Sequence, residues 1–503
     1  MLSITTSSLL LPLLLLHLLL LQSVTASRRP PTFVFDYAKD AASRWDGALQ
    51  LALQGKTFEE TFGAIFRYHN NSLFDSVTPD TYHRITRALV KNFPEQAEEL
   101  KGIAAQFQEV FPDQVVSYEY LATWVYFHEL KHADLSSNAA DKKDKKKNDG
   151  RNDRLCTGLL AADSSQSVHH VANMDQSPPQ VRDVTLHVKY IDSRLDSEEQ
   201  VLFQGVDWYW FNTGTTRMVM KGVASIQENW RRDHEMGPIP MEDILNDIEN
   251  GVQSHVLVFR YAFEKVVRED PTIGYEELLE HMSRVRLAAP EYIVMAGPKP
   301  LQGAVLARNQ TGVAAPGGKI LHLGESDGNP TSANNSEITS WALVQTNYDH
   351  WTADNPEDPR RTVAEQTLAN FGQDIAATSV GLYAVASTYP VHATSTAYTA
   401  VMNAKTGDLL PFVRTMMCPV GDADCLKNAE AHGYGFGVGG GTQNNGNLRA
   451  SSMAAETNHM TLHSYVTALL AVALLFVLGL LFKSKSDVRS QYKAVPNAAN
   501  GSR

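Results

Sequence analysis

The hydrophobic pattern of the chain changes at one point, and that change constrains the fold more than any other feature. From Phe33 to Leu130 the apolar residues recur at three and four positions, which is the period of amphipathic helices. This period predicts four helices, at Ala42–Leu53, Phe58–Tyr68, Tyr82–Lys91 and Tyr118–Leu130. The segment Asp141–Arg154, which contains Lys-Lys-Asp-Lys-Lys-Lys and almost nothing apolar, then predicts an exposed loop that ends abruptly at Leu155.

From Cys156 onward the apolar residues follow the two-residue period of strands, interrupted by helical stretches. Strands are predicted at Cys156–Ala162, Val168–Met174, Val184–Ile191, Val201–Phe211, Thr216–Ser225, Tyr292–Ala296, Ala304–Arg308, Trp341–Thr346 and Ala397–Ala404. Helices are predicted at Met241–Val267, Tyr275–Arg286 and Thr362–Asn370. Strands in hairpins, together with packed helical layers, indicate an α+β sandwich and not an alternating doubly wound sheet.

The first 26 residues have the pattern of a secretory signal. The apolar run Leu9–Leu21 is followed by small residues that end at Ala26, which predicts a signal peptide over 1–26 that is removed. An uncleaved anchor remains the alternative, because the basic pair Arg28-Arg29 follows the run and no positive residue precedes it.

A second apolar run lies near the other end of the chain. Ser464–Phe482 carries no charged residue and is long enough to span a bilayer as a helix, which we expect over 463–482. Lys483, Lys485 and Arg489 follow it directly, so the tail 483–503 is predicted to be cytosolic and the main body lumenal. A charged tail excludes a glycolipid-anchor signal. The Gly/Asn-rich stretch within 431–462 is predicted to be a flexible linker.

Charge and cysteine content narrow the class of protein. The formal net charge of −12 argues against a nucleic-acid partner, which would require a basic surface. Three lumenal triplets fit the N-glycosylation pattern, at Asn70, Asn309 and Asn334. Cys418 and Cys425 enclose a short loop and could form a local disulfide in an oxidising compartment. Cys156 is then unpaired, and is either a buried core residue or a reactive thiol.

Four short motifs carry a family resemblance. They occur in the order Cys156-Thr157, Asn173-Met174-Asp175, Gln227-Glu228 and Gln345–Arg361, where the last contains Thr-Asn-Tyr-Asp-His-Trp and Arg-Arg. In this order the chain resembles the acid ceramidase and N-acylethanolamine acid amidase family, relatives of the choloylglycine hydrolases. The resemblance runs from about Pro31 to about Pro419, and Ala289–Arg308 is a second good match.

The resemblance implies a four-layer αββα sandwich of the N-terminal-nucleophile type. It also implies a precursor that cuts its own Leu155–Cys156 bond at low pH, giving an α segment, 27–155, and a catalytic β domain, 156–430, that stay together without a covalent link. The predicted loop before Cys156 agrees with a cut there, since loops tolerate nicking. Neither a cofactor nor a metal ion is implied.

The resemblance further assigns roles to five residues. Cys156 would be the nucleophile, with its freed α-amine as the local base. Asp175 would accept a hydrogen bond from that α-ammonium group, and Asn347 would donate to the oxyanion. Arg360 would support the carboxylate or the leaving group, and Glu228 corresponds to the glutamate of acid-dependent self-cleavage.

One position departs from the family. The family has an arginine three residues before the aspartate, where this chain has Ala172. Such an arginine would favour the thiolate, and His170, which shares a strand face with Ala172, is the predicted partial substitute at acid pH. The alternative is a catalytically impaired homologue that binds lipid at the membrane. Retention of Cys156, Asp175, Asn347 and Arg360 together favours an active enzyme over that alternative, and a plain receptor ectodomain would lack these motifs.

The expected substrate is an N-acyl lipid, either an N-acylethanolamine or a ceramide. The Asp349-His350-Trp351 variant favours the ethanolamide slightly. The aromatic run Trp208–Phe211 is assigned to core packing in preference to an acyl pocket, because side chains alternate on a strand. The tail sequence Tyr492-Lys-Ala-Val fits the sorting signal bound by clathrin adaptors, which predicts an endolysosomal membrane protein, with the plasma membrane as the alternative.

Overall fold

The computed structural model describes the chain at residues 27–133, 156–195, 201–209, 216–231, 238–325, 338, 340–352, 356 and 358–414. The chain divides into two units, Met1–Gly435 and Phe436–Arg503, and every described residue lies in the first. The predictions that lie outside the described residues concern the signal peptide, Leu155, Asn334, Cys418, Cys425, the linker, the membrane helix 463–482 and Tyr492. Among the described residues, no helix has the length and apolarity that crossing a bilayer requires.

Helices and strands are both abundant, which confirms the predicted mixed α+β class. The helices are α1 Ala48–Leu53, α2 Ala64–Ser72, α3 Pro79–Asn92, α4 Pro94–Val110, α5 Tyr118–Trp124, α6 Phe127–His132, α7 Met241–Glu249, α8 His255–Arg268, α9 Tyr275–Arg284, α10 Arg360–Phe371, α11 Gln373–Ala376 and α12 Ser379–Ala386. The strands are β1 Ser27–Arg28, β2 Thr32–Asp36, β3 Thr157–Ala162, β4 Val168–Asp175, β5 Thr185–Ile191, β6 Val201–Trp208, β7 Arg217–Met220, β8 Ala224–Trp230, β9 Glu291–Ala296, β10 Gly303–Arg308, β11 Leu321–His322, β12 Ala342–Gln345, β13 Thr396–Asn403 and β14 Asp408–Arg414.

The strands form two sheets. The six-stranded sheet has the order β1-β14-β13-β4-β3-β12, and the eight-stranded sheet has the order β11-β10-β9-β8-β7-β6-β5-β2. Within the described part, β2 and β5 pair in parallel and the other neighbours pair antiparallel. The N-terminal segment contributes one strand to each sheet, β1 to the smaller and β2 to the larger.

Side-chain alternation on β3 shows how the layers meet. Leu160 and Ala162 pack against Val294 and Val305 of the eight-stranded sheet. Leu159, one position away, belongs to the cluster formed with helices α10 to α12 on the other face. Because successive side chains on a strand point to opposite faces, a one-residue slip would exchange the two sets. The register therefore fixes which residues lie between the sheets.

Helices also cover the outer face of the eight-stranded sheet. Phe203 on β6 contacts Phe263 on α8 with ring centroids 5.7 Å apart. Helix α8 is tied in turn to the N-terminal helices, because Arg260 forms a fully buried ion pair with Glu99 of α4 at 2.7 Å. The segment before residue 133 is therefore part of the packed body.

Several predicted elements have different bounds in the structure: the helix expected over Tyr118–Leu130 is two helices, α5 and α6, and the helix expected over Ala42–Leu53 begins at Ala48. The strand expected over Thr216–Ser225 is two strands, β7 and β8, which are joined by a tight turn with Gly222 at φ 76°. The helix expected over Met241–Val267 is broken into α7 and α8, where Gly251 has φ 81° and the Ser254 side chain caps α8. The strand expected to reach Phe211 ends at Trp208.

Candidate active site

Cys156 lies directly before β3 and faces the space between the two sheets. Its side chain is buried, and its Sγ lies 3.5 Å from the Sδ of Met174, which stands on the same face of the neighbouring strand β4. It is the free cysteine of the described part of the chain. Burial raises the pKa of the thiol to about 11, against the opposing charge of Arg217. In the uncut chain the group is therefore a neutral thiol.

Asp175 ends β4 beside the nucleophile candidate, because Thr157 pairs with Asn173 in the antiparallel register of β3 and β4. Its Oδ1 accepts a 2.5 Å hydrogen bond from the hydroxyl of Thr396. Its Oδ2 lies 3.6 Å from Nη1 of Arg360 and accepts no hydrogen bond from the described residues. Burial raises the pKa of this carboxyl group to about 7, although Arg360 lowers it in part.

Arg360, the first residue of α10, connects four parts of the site. Nη1 donates to the backbone carbonyl of Cys156 at 2.8 Å and to the hydroxyl of Thr157 at 3.2 Å. Nη2 donates to Oδ1 of Asn347 at 3.0 Å. The carboxylate of Asp358 holds the guanidinium from the other side, with Nε at 2.7 Å. A planar group with five donors suits this position, which a single ammonium charge would fill only in part.

Asn347 follows β12 and is oriented by two partners. Because Oδ1 accepts from Arg360, its amide nitrogen is the donor, and Nδ2 donates to the carbonyl of Trp230 at 2.8 Å. An amide nitrogen carries two hydrogens, so the second N–H of Asn347 can donate to an acceptor oxygen near Cys156. The structure thus brings Cys156, Asp175, Asn347 and Arg360 together from four separate segments.

Arg217 is the site residue that the sequence interpretation missed. It lies on β7 of the eight-stranded sheet, is fully buried, and its charge lowers the pKa of the Cys156 thiol against the effect of burial. Its Nη2 also donates to Oδ1 of Asn229 at 3.2 Å, and its Nη1 lies 3.9 Å from Oε2 of Glu228. The signal in the sequence was an arginine at the start of the otherwise apolar run Arg217-Met-Val-Met.

Small residues on the opposite sheet leave room for this arginine. Ala172 and Gly158 pair with each other across β3 and β4. A Cβ atom on Gly158 would lie 2.8 Å from Oε1 of Gln227, the residue that pairs with Arg217. Larger side chains on this face would therefore compete with Gln227 and Arg217 for the same space.

His170 does not act as the predicted substitute for the arginine. Its ring lies between Oγ of Ser225 at 2.9 Å and Oε1 of Gln227 at 3.0 Å. Burial lowers the pKa of His170 to about 4, and the nearby charge of Arg217 acts in the same direction. The imidazole is therefore mostly neutral above about pH 5, and at such pH Arg217 and Arg360 are the cations that the structure places near Cys156.

Glu228 lies on β8, with its carboxylate near the guanidinium of Arg217. It is buried, and its Oε1 lies 3.5 Å from Nδ1 of His128. Burial raises the pKa of its carboxyl group, with the charges of His255 and Arg217 opposing that effect. The structure gives Glu228 an indirect connection to Cys156 through Arg217.

A cavity of about 50 Å³ adjoins Cys156, and Trp208, Trp230 and Trp124 are among its lining residues. Pockets for small molecules are larger, about 300–1,000 Å³. Trp208 thus lines the cavity, and its indole N–H donates to the hydroxyl of Thr185 at 3.1 Å. Tyr209 packs in the core against Phe107, as predicted for the aromatic run, whereas Trp210 and Phe211 lie outside the described residues.

Two of the predicted glycan acceptors are described. Oδ1 of Asn70 accepts from the hydroxyl of Tyr120 at 2.7 Å, and Oδ1 of Asn309 accepts from Arg231 at 2.6 Å. Both asparagines are partly buried, and glycosylation at either remains a prediction.

Relatives of known name match the chain over part of its length. It is 25% identical over 260 residues to the N-acylethanolamine-hydrolyzing acid amidase of Oryctolagus cuniculus, which covers 50% of this chain and 62% of that protein. It is 25% identical over 248 residues to the protein of the same name in Caenorhabditis elegans, with 49% and 61% covered. The acid ceramidase of Homo sapiens is 28% identical over 155 residues, which is 31% of this chain and 34% of that protein.

These relatives confirm the predicted resemblance, and the chain spans less than two thirds of the length of the amidases that it matches. No protein-family model matches the chain. A solved structure of the Caenorhabditis elegans N-acylethanolamine-hydrolyzing acid amidase ortholog has 24% identity and a TM-score of 0.39, and the match covers 50% of this chain and 94% of that chain.

Proposed function

We propose that this chain is an acid amidase that cuts its own Leu155–Cys156 bond and then hydrolyses the amide bond of an N-acyl lipid, with Cys156 as the N-terminal nucleophile. The observation that carries the proposal is the Arg360 guanidinium, which binds the Cys156 carbonyl and the Asn347 side chain and lies 3.6 Å from the Asp175 carboxylate. The fold we propose for it is the four-layer αββα sandwich of N-terminal-nucleophile hydrolases, anchored by the predicted helix over 463–482.

Self-cleavage requires the Cys156 thiol to add to the carbonyl carbon of Leu155. The amide nitrogen of Cys156 then leaves with a proton, and water hydrolyses the resulting thioester to free the thiol. The donation from Arg360 to the Cys156 carbonyl fixes the backbone next to the bond that breaks. The second amide hydrogen of Asn347 is available to the oxyanion, an interaction that is typically worth about 3 kcal/mol in such sites.

After the cut, the new α-amine of Cys156 becomes the base for its own thiol. The two groups have ordinary pKa values of about 8 and 8.5, so a proton passes readily between them. Oδ2 of Asp175, buried and without a hydrogen bond from the described residues, is available to accept from the α-ammonium group. That cation would also offset the burial that holds the pKa of Asp175 high in the uncut chain.

Arg217 favours the active enzyme over the catalytically impaired homologue. Loss of the family arginine at Ala172 was the main support for impairment, because one positive charge beside the thiol was missing. Arg217 supplies a guanidinium to Cys156 from the opposite sheet, and it opposes the effect of burial on the pKa of the thiol. A nearby cation is a common way to activate a cysteine.

The small cavity agrees with an inactive uncut form. About 50 Å³ beside Cys156 is too small for an acyl chain, so we propose that substrate binds only after the cavity enlarges following the cut. An N-acylethanolamine and a ceramide share the acyl-amide group that this chemistry requires, and both remain candidate substrates. We place the enzyme in an acidic endolysosomal compartment as a single-pass type I membrane protein.

The test is N-terminal sequencing and intact mass of the full-length chain in detergent after incubation at acid and at neutral pH. We expect a new N-terminus at Cys156 in the wild type and in a Cys418→Ala control, and no such terminus in Cys156→Ala. The product should hydrolyse an N-acyl lipid, whereas the uncut variant should not. Failure of the wild type to cut at any acid pH would reject self-activation and favour the lipid-binding homologue.

A further inference from the structure

Two histidines and a glutamate converge beside the cavity that contains Cys156. His128 lies on α6, His255 begins α8 and Glu228 lies on β8, so three separate elements supply them. All three side chains are buried, and one ligand atom from each lies within 4.8 Å of the others. The same three residues line the cavity, which gives the cluster access to small solutes.

Each histidine has an acceptor on one side of its ring. Nδ1 of His255 lies 3.3 Å from Oε1 of Glu129, and Nε2 of His128 lies 3.4 Å from the carbonyl oxygen of Pro290. Histidines that bind metals commonly donate their second N–H group to a carboxylate or a backbone carbonyl, which fixes the tautomer and the ring orientation. In that tautomer the coordinating atom of His128 is Nδ1, which lies 3.5 Å from Oε1 of Glu228.

The cluster also holds more carboxylate oxygens than the described donors satisfy. Oε1 of Glu228, Oε2 of Glu129 and Oε1 of Glu291 are buried, and none has a hydrogen-bond partner in the described part of the chain. Buried polar atoms in native proteins are ordinarily paired, so an orphaned oxygen in a cavity requires an explanation. A bound cation supplies one, since it would pair with the buried oxygen of Glu228.

We propose that His128, His255 and Glu228 form a binding site for Zn²⁺. Two imidazole nitrogens favour zinc and its first-row neighbours over Mg²⁺ and Ca²⁺, which prefer oxygen ligands. Two histidines and a glutamate, with a fourth position left for water, form a known zinc ligand set. Zinc binds such atoms at about 2.0–2.2 Å, so the three ligand atoms, which lie within 4.8 Å of one another, would draw closer together around the ion.

A metal at this position would affect the neighbouring chemistry, and this consequence rests on the proposed function. The ion would hold the Glu228 carboxylate and occupy part of the cavity beside Cys156. Glu228 would then lose its freedom to act in self-cleavage. Bound Zn²⁺ is therefore expected to slow the cut.

Binding is tested first with Co²⁺, which replaces zinc and absorbs visible light when it is coordinated. The metal-stripped full-length chain in detergent, without a histidine tag, is titrated with Co²⁺ and then with Zn²⁺. We expect saturation near one Co²⁺ per chain and displacement by Zn²⁺. His255→Gln and Glu228→Gln should each weaken binding at least tenfold, whereas His83→Ala, at an exposed position on α3, should not.

Two further variants keep the test decisive. Glu129→Gln keeps an oxygen that can accept from the backbone N–H of His255 but removes the charge beside its ring, and it should weaken binding about tenfold to a hundredfold while the fold is retained. Cys156→Ala should bind normally. Absence of saturable Co²⁺ binding, or binding that the His255, Glu228 and Glu129 variants leave unchanged, would reject the site. Loss of binding in Cys156→Ala would reassign the metal to the thiol.

The experiments can reject the metal site and the self-cleaving function independently of each other. Metal binding is read from absorbance, and self-cleavage is read from the N-terminal sequence. A chain that binds Co²⁺ at this site but never cuts keeps the metal site and loses the proposed function. A chain that cuts at acid pH at the same rate with and without excess Zn²⁺ would keep the enzyme and remove the inhibitory consequence.

Discussion

The guanidinium of Arg217 and the thiol of Cys156 interact although they belong to opposite sheets of the sandwich. Cys156 directly precedes β3, and Arg217 begins β7. The family pattern predicts an arginine at position 172, on the strand next to the cysteine, where this chain has Ala172. The charge that lowers the pKa of the thiol instead comes from Arg217 on the other sheet.

Arg217→Gln is expected to slow self-cleavage at least tenfold. Removal of the cation takes away the largest effect that opposes burial, so the pKa of the Cys156 thiol rises further and less thiolate forms. Arg217→Lys should retain part of the rate, because it keeps the charge without the forked donors. Both the cleavage rate and the pH profile of thiol alkylation should change. Lys221→Gln, at an exposed position on the same hairpin, is the control, and an equal effect there would contradict a specific role for Arg217.

Ala172→Arg, which restores the family residue, should destabilise the protein by several kcal/mol when introduced alone. The space is already occupied, and a second buried guanidinium would lack a counter-ion. Combination with Arg217→Ala should recover much of the loss. The free energy of unfolding of the two single variants and the double variant measures this coupling. Additive effects would show that the two positions do not share one site.

Asp175→Asn should flatten the pH dependence of stability in the uncut chain, studied in a Cys156→Ala background. The folded pKa of about 7 lies above the unfolded value of about 3.9, so the folded state binds the proton more tightly. This contribution to stability is fully present below about pH 4 and is lost as the pH rises through about 7.

Thermal unfolding at several pH values measures the Asp175 contribution. His170, whose pKa is lowered, titrates with the opposite sign in both proteins, so the difference between parent and variant isolates Asp175. Arg360, Arg217 and Asp358 are the charged groups that act on this carboxyl group, and they are unchanged as well. A variant with the same slope as its parent would show that Asp175 keeps an ordinary pKa.

Asn347→Ala should reduce the rate of self-cleavage by about 10² to 10³, the usual cost of removing one oxyanion donor. In the fraction of the variant that does cleave itself, the KM for substrate should change little, because the Asn347 amide acts on the transition state. Loss of the hydrogen bond to the Trp230 carbonyl should also lower the melting temperature modestly. A large loss of stability with a normal rate of cleavage would assign Asn347 a structural role alone.

Sequence pattern located the strands around the nucleophile to within one residue. Cys156–Ala162 and Val168–Met174 were predicted, and the structure has β3 at Thr157–Ala162 and β4 at Val168–Asp175. The neighbouring placement of Cys156 and Asp175 followed from that hairpin alone. Local periodicity is sufficient here because the pairing residues are close together in the chain.

Arg217 could not be found in the same way. Its contact with Cys156 depends on how two sheets face each other, which no local pattern encodes. The turn at Gly222 was also missed, because the two-residue alternation of side chains continues through it. The predicted strand therefore ran past Met220, where β7 ends. Conversely, alternation placed His170 on the correct face of β4, but it could not show that burial lowers the pKa of the ring while Ser225 and Gln227 hold its orientation.

The placement of β1 and β2 in different sheets has a consequence for the lifetime of a cut protein. Ser27 and Arg28 pair with β14, and β2 pairs with β5, so the segment before residue 133 is built into both sheets. After a cut before Cys156 the two fragments would share one core, and folding would change from a unimolecular process to a bimolecular one. Before the cut, an unfolded chain can refold at any dilution, whereas afterwards its pieces must meet again. Cut protein that unfolds would therefore rarely refold. The lifetime of the mature enzyme would depend on how slowly it unfolds, which is kinetic stability.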